Sequence, residues 1–455
     1  MADHLRLTRN TLSVVGALLT TASALVFLAA VAADAAGLHT TPYLGIVFFL
    51  LLPAAFVVGL ALIPLGAWLE GRRRAAGRPP SAVRWPRIDL DDPAQRHTAV
   101  LVLALTIINV VIVAMASYRG VEYMDSVQFC GQVCHTVMQP EFVSHERQAH
   151  ARVRCVECHV GPGASSFASS KLAGTRRVLA TIFGTYPRPI VARADRLLSA
   201  RDACERCHWA DQPYGDRIRR IVEYADDETN TQTVTTLRLH VGGGDRRLGT
   251  ATGIHSHMNV AHEVEYIAAD EGQQTIPYVR MRGRDGVMRV FSAEGERQEP
   301  PAAGWRRMGC LDCHNRPSHQ IAPTAERAVN EAMADGRIPA DLPYVHREAV
   351  RVLKGRFPSQ QAAADEIARR LRDFFSREQP RAAAARVADI DRAIAAVQEI
   401  YARNVFPAMN VEFGTYPAHT GHVDSPGCFR CHDDRHASRD GRRIAQECDS
   451  CHAIE

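Results

Sequence analysis

Apolar and polar positions are unevenly spread along the 455 residues. Three long apolar runs, 12–33, 43–69 and 98–118, open the chain, and after them polar residues, Gly and Pro are interspersed throughout. Each run reaches the ~20 residues that a helix needs to cross a ~30 Å hydrocarbon layer. The pattern therefore predicts three transmembrane helices. Pro53 and Pro64 fall inside the second run, where a membrane helix tolerates a kink. Arg6 and Arg9 precede the first run, which raises the alternative of a cleaved signal peptide. That run is longer than the ~7–15-residue apolar core of a signal, so the spanning reading is preferred.

Loop charge sets the orientation. The 34–42 connection holds no Lys or Arg, whereas 70–97 carries Arg72, Arg73, Arg74, Arg78, Arg84, Arg87 and Arg96. The positive-inside rule places that loop and the N-terminus in the cytoplasm, and everything after residue 118 on the outer face.

Shorter periodicities organise the outer region. The stretch 233–241 alternates, with Leu237, Leu239 and Val241 on one face and His240 on the other. Residues 276–281 and 287–291 flank Asp285-Gly286, a hairpin signal. Ile367, Leu371, Phe374 and Phe375 recur at helical spacing, as do Val387, Ile390, Ile394 and Val397, and both stripes read as core. The acidic Asp226-Asp227-Glu228 reads as a solvated turn.

Charge adds little. A net +4 with pI ≈ 8.5 gives no argument for nucleic acid. The twelve cysteines change the picture, because each belongs to a close pair followed at once by His. Five pairs read C-x-x-C-H: Cys155/Cys158/His159, Cys204/Cys207/His208, Cys310/Cys313/His314, Cys428/Cys431/His432 and Cys448/Cys451/His452. This is the attachment signature of c-type haem: two thiols tether the porphyrin and the adjacent imidazole lies beneath the iron. Zinc sites need partner pairs and no following His, and a redox dithiol stands alone. Neither predicts five copies outside a membrane. The sixth pair, Cys130/Cys134/His135, is stretched by one residue; it reads as a haem motif in preference to a disulfide, because His135 follows directly. Six haems are expected.

Haem iron takes a second axial ligand, commonly His or Met. Eleven further histidines lie in the outer region: His145, His150, His240, His255, His257, His262, His319, His346, His419, His422 and His436. Nearness to a motif favours His150, His319, His422 and His436, and the adjacent His255 and His257 suit haems distant in sequence. Met138, three residues after His135, is a candidate ligand for the first haem and equally a packing residue.

The stretch from about 98 to 210 resembles the NapC/NirT family of membrane-anchored multihaem quinol dehydrogenases. The matching features are a membrane helix running into Phe129-Cys130…Cys134-His135, then Met138, Cys155-Val-Glu-Cys158-His159-Val160, Lys171 and Cys204-Glu-Arg-Cys207-His208-Trp209. The resemblance implies electron transfer from the membrane quinone pool to an extracytoplasmic redox partner protein, with the first haem beside the quinol pocket. It implies Met138 as an iron ligand and Lys171 as a quinol-site lysine, with Asp125 and Glu141 as acidic candidates. The chain departs from the four-haem, one-helix pattern in its stretched first motif, two extra haems, the 11–69 hairpin and the 220–420 insertion. The expected fold is a membrane-anchored multihaem cytochrome c. A three-helix anchor (1–118) is followed by a three-haem domain (119–215), a small β-rich insertion (216–300) and a helical three-haem region (301–455). The expected location is a bacterial inner membrane with the haems on the periplasmic or outer face. Alternatives are a terminal reductase of a nitrogen or sulfur oxyanion, against which the absence of Cys-x-x-Cys-Lys weighs, and a passive wire in a larger complex.

Overall fold

A computed structural model describes residues 11–35, 52–75, 91–133, 135–160, 164–191, 203–209, 214–244, 252–258, 263–283, 285–296 and 299–455. The chain divides into two compact units, Met1–Val133 and Cys134–Glu455.

Among the described residues the first unit holds the helices α1 (Thr11–Ala35), α2 (Leu52–Ala75) and α3 (Pro93–Met124). Helices α1 and α2 cross closely because Gly16 meets Gly59; a Cβ on Gly16 would lie 2.7 Å from the Gly59 carbonyl oxygen. Small residues at such a crossing let two backbones approach. Ser13 Oγ donates to Ile63 O across the pair at 2.9 Å. Thr20 Oγ1 and Asn109 Nδ2 donate to carbonyls one turn back, at 2.8 Å each, so these polar groups are satisfied within their own helices. Leu18, Leu25, Val57, Val110 and Val111 project outward and stay exposed. Pro64 lies inside α2, while Pro53 falls in its first turn, where proline costs no hydrogen bond. Among the described residues one helix, over Ile107–Met124, is long and apolar enough to cross a membrane; Val15–Phe27 and Leu52–Gly66 are shorter apolar stretches. Arg6, Arg9, residues 43–51 of the second run and most of the Arg-rich loop lie outside the described residues.

The second unit opens with α4 (His135–His145), the single turn α5 (Cys155–His159) and α6 (Ala164–Ile182). Strands β1 (Arg217–Tyr224) and β2 (Gln232–Leu239) form an antiparallel hairpin. Its turn is tied by Asp227, whose Oδ1 accepts from Thr231 N at 2.8 Å, and by Asn230 in the left-handed region at φ 48°. Next come β3 (Val264–Ile267), β4 (Tyr278–Arg282), β5 (Met288–Ser292) and β6 (Arg306–Arg307). Strands β4 and β5 pair antiparallel around Asp285-Gly286, the expected hairpin.

The helical layer comprises the short α7 (Cys310–Cys313), then α8 (Ala325–Ala334), α9 (Val345–Leu353), α10 (Gln360–Glu378), α11 (Pro380–Ala385) and α12 (Val387–Asn404). Ile367, Leu371, Phe374 and Phe375 of α10 pack on Ile390, Ile394 and Val397 of α12. Val387, expected in that stripe, is 58% exposed at the helix's first position.

The last strands are β7 (Ala437–Ser438) and β8 (His452–Ile454). They complete the two sheets, whose orders are β1-β2-β8 and β6-β3-β4-β5-β7. The β layer expected over 216–300 thus draws strands from both later motif segments, and it is interleaved with them rather than inserted as a separate body. Asn230 stitches the hairpin to the helices: its amide donates to Ala340 O and Leu342 O, and its Oδ1 accepts from His346 N.

Candidate functional site

Four of the five-residue motifs fold as one turn, so that the tethers and the ligand project together; in the last, Cys448–Ser450 turns and His452 opens β8. His208 N donates to Cys204 O at 2.8 Å, His314 N to Cys310 O at 2.7 Å and His432 N to Cys428 O at 3.1 Å. Cys155–His159 is a complete helical turn.

Each of these five motif histidines faces a second imidazole. Ring centroids lie 6.2 Å apart for His159 and His319, 6.0 Å for His208 and His150, and 6.5 Å for His314 and His255. The remaining pairs are His432 with His257 at 5.8 Å and His452 with His422 at 6.1 Å. A metal–nitrogen bond of about 2 Å on each side, plus about 1 Å from nitrogen to ring centre, places two axial imidazoles about 6 Å apart. The donor set therefore fits a six-coordinate haem iron at each pair.

Hydrogen bonding to the other ring nitrogen supports this, since it fixes ring orientation. Nδ1 of His150 bonds Pro317 O at 3.2 Å, that of His257 bonds Ile254 O at 2.7 Å, and that of His319 bonds Glu141 O at 3.0 Å. His432 Nδ1 bonds Ala445 O at 2.9 Å. Partial burial holds His255 and His319 below the usual imidazole pKa, favouring the neutral form a metal requires.

One short segment, from His314 to His319, serves several sites. His314 and His319 face different partners, Pro317 O supports His150, and Ser318 Oγ bonds Nδ1 of His145 at 2.8 Å. His145 is buried, with its Nε2 unpaired and its ring 6.0 Å from that of His319. Arg316 anchors the segment: it bonds Glu141 at 2.9 Å, donates to His319 O at 2.6 Å and lies 3.7 Å from the Tyr416 ring centre.

The motifs follow one another in space. Cys158 is within electrostatic reach of Cys207, and Cys204 lies beside Cys310. Cys313 neighbours Cys428, and Cys428 neighbours Cys451. Residues between the cysteines join adjacent motifs. Glu157 meets Arg206 at 3.3 Å, and Arg430 donates to Asp312 O at 2.8 Å. Asp312 is itself buried, accepting from Tyr266 at 2.6 Å, Arg306 at 3.0 Å and Gly309 N at 2.6 Å. These linking residues carry no motif status of their own; their one sequence signal is charge between paired cysteines.

Other expected residues fall differently. His436 is 2% exposed, with Nδ1 bound to Asp433 at 2.9 Å and Nε2 to Ile276 O at 2.8 Å, so neither nitrogen is open to iron. Glu141, expected near quinol, is committed to Arg316 and His319. Met138 packs against the cluster of Val137, Ile321, Phe406, Met409 and Val411. Asp125 lies in the turn after α3, and Lys171 stands on α6. Cys130 lies in the π turn Phe129–Val133; Cys134 and His262 lie outside the described residues.

Residues 92–266 match the NapC/NirT cytochrome c family, N-terminal region. The chain is also similar to the cytochrome c-type protein ImcH of Geobacter sulfurreducens, at 38% identity over 448 residues, 98% of this chain and 88% of that protein. The chain belongs to the NapC/NirT cytochrome c family. As a NapC/NirT-type protein it is a multihaem c-type cytochrome that carries covalently bound haem and transfers electrons. No solved structure matches it.

Proposed function

We propose that this NapC/NirT cytochrome takes electrons from quinol in the bilayer and passes them through six haems to an acceptor protein outside the cytoplasmic membrane. Three spans, with the 70–97 loop inside, anchor it. The observation that carries the reading is the set of five facing imidazole pairs, joined motif to motif from Cys158 to Cys451. When bound, each haem supplies one-electron redox chemistry at its iron. The protein's part is to tether, orient and space.

Cys155 to Cys451 hold five of the haems, with His159, His208, His314, His432 and His452 as near ligands. His319, His150, His255, His257 and His422 respectively are the far ones. Cys130, Cys134 and His135 hold the first haem, with Met138 as the candidate second ligand. Glu141 and Arg316 position His319. Lys171 and Asp125 are the groups that would bind quinol oxygens and receive protons. The rival reading, a terminal reductase, needs an iron with a vacant position in the 220–420 region, but the motif histidine there, His314, faces His255.

Intact mass and pyridine haemochrome spectra should return six haems per chain. A menaquinol analogue should reduce the detergent-purified protein, and Lys171→Ala should slow that step with haem content unchanged. Reduction by soluble dithionite alone would overturn the quinol reading, and an unaltered rate would remove Lys171 from it.

A further inference from the structure

Helix α6 follows the second motif and carries an apolar face that no other part of the described structure covers. Val178 and Leu179 are each 49% exposed, Ile182 69% and Phe183 73%. The Phe183 amide donates to Leu179 O at 2.9 Å, so the helical path runs through it. Val178 with Ile182, and Leu179 with Phe183, are i,i+4 pairs and make one stripe. Gly174, Ala180 and Thr181, three or four residues either side of Arg177, are the half-buried positions. Arg177 itself lies within electrostatic reach of His159. With 3.6 residues per turn, Arg177 stands about half a turn from the centre of the stripe, so the stripe looks away from the second haem site.

Charge identifies what the stripe meets. Between Glu157 and Asp195 there is no acidic residue, while Lys171, Arg176, Arg177, Arg188 and Arg193 are all basic. Among the described residues, Arg176, Arg177 and Arg188 have no carboxylate partner; Arg188 donates to the Tyr186 hydroxyl at 3.0 Å. A protein partner fitted to the stripe alone would leave these cations unmatched. A helix with large apolar side chains on one face, basic residues beside them and no acid is the composition that lies in a lipid interface. Anionic headgroups complement its arginines.

We propose that α6 lies in the outer leaflet of the membrane, with Val178, Leu179, Ile182 and Phe183 among the acyl chains and Arg176 and Arg188 at lipid phosphates. This rests on the reading that the chain is membrane-anchored, and adds a second point of contact. Lys171 precedes Val178 by two turns on this helix.

The test uses the full haem-loaded chain in nanodiscs of phosphatidylethanolamine and phosphatidylglycerol. With the native cysteines taken up by haem, single Ile182→Cys and Phe183→Cys substitutions can be labelled with a charged, membrane-impermeant maleimide. Val110→Cys on α3 serves as the lipid reference and Val387→Cys as the water reference; haem absorbance confirms that each variant is loaded. Burial about 5–10 Å below the headgroups should slow labelling at 182 and 183 by about tenfold or more relative to 387. Labelling at the rate of 387 while 110 stays protected would overturn the proposal and leave the anchor intact. Rapid labelling at 110 as well would overturn the anchor reading beneath it.

Discussion

Residues 325–405 and the segments that carry the haem motifs bury themselves by different means. In the helical layer, Ile338, Leu342, Val345, Ile367 and Val397 are sealed completely by their neighbours. Around the motifs the apolar clusters are small. One gathers Val137, Ile321, Phe406, Met409 and Val411, and another Val264, Tyr266, Ile276, Val279 and Phe291. Porphyrin is a broad apolar plate, and burying it against these thin clusters supplies the core that side chains do not. One region is finished by its own residues, whereas the other is finished by its cofactor.

Blocking haem attachment should break this contrast most severely. Chain made without attachment is expected to lose protease resistance over 203–320 and 410–455 while 325–405 stays protected. Limited proteolysis with mass spectrometry reads this, and equal degradation of both regions would erase the distinction. Leu371→Ala tests the other side. Leu371 is 2% exposed, and the substitution should cost about 2–5 kcal/mol in denaturant unfolding of the helices. The haem spectrum under native conditions should not move.

His257→Ala sharpens the comparison at a single site. One haem should become five-coordinate and give a high-spin EPR signal while the others keep theirs; no new signal would show that His257 is not a ligand. Glu157→Gln should have the smallest effect, no more than about 1 kcal/mol, because its ion pairs are partly solvated. The hydrogen bond from Arg154, opposed by burial and aided by the charges of Arg154 and Arg206, holds the Glu157 carboxyl below its ordinary 4.5. A depressed acid adds stability that is complete above the unfolded value and is lost as pH falls through the folded one. Thermal melts of the parent and Glu157→Gln should therefore differ above pH 4.5 and converge in stronger acid.

The sequence displays what must be contiguous and conceals what is assembled across distance. Motif cysteines and their histidines are legible because tether and ligand have to share one turn. The second imidazoles are legible as residues but not as pairs. His150 precedes Cys155 yet faces His208, His319 follows His314 yet faces His159, and His422 precedes Cys428 yet faces His452. A porphyrin is wider than a short connection, so its far side is reached from another part of the chain. His436 misled for a distant reason: its Nε2 is taken by Ile276 O, 160 residues earlier in the chain. The hairpin at Asp285-Gly286 and the stripes of α10 and α12 were readable because turn chemistry and helical period are local. The interleaving of β7 and β8 was hidden, since strands of two or three residues carry no periodicity.

Ile254–Met258 is a five-residue 3-10 turn that bears both His255 and His257, which face His314 and His432. On the proposed ligation, two successive irons are bolted to the same rigid ruler. A change in that one turn would then reach both sites at once.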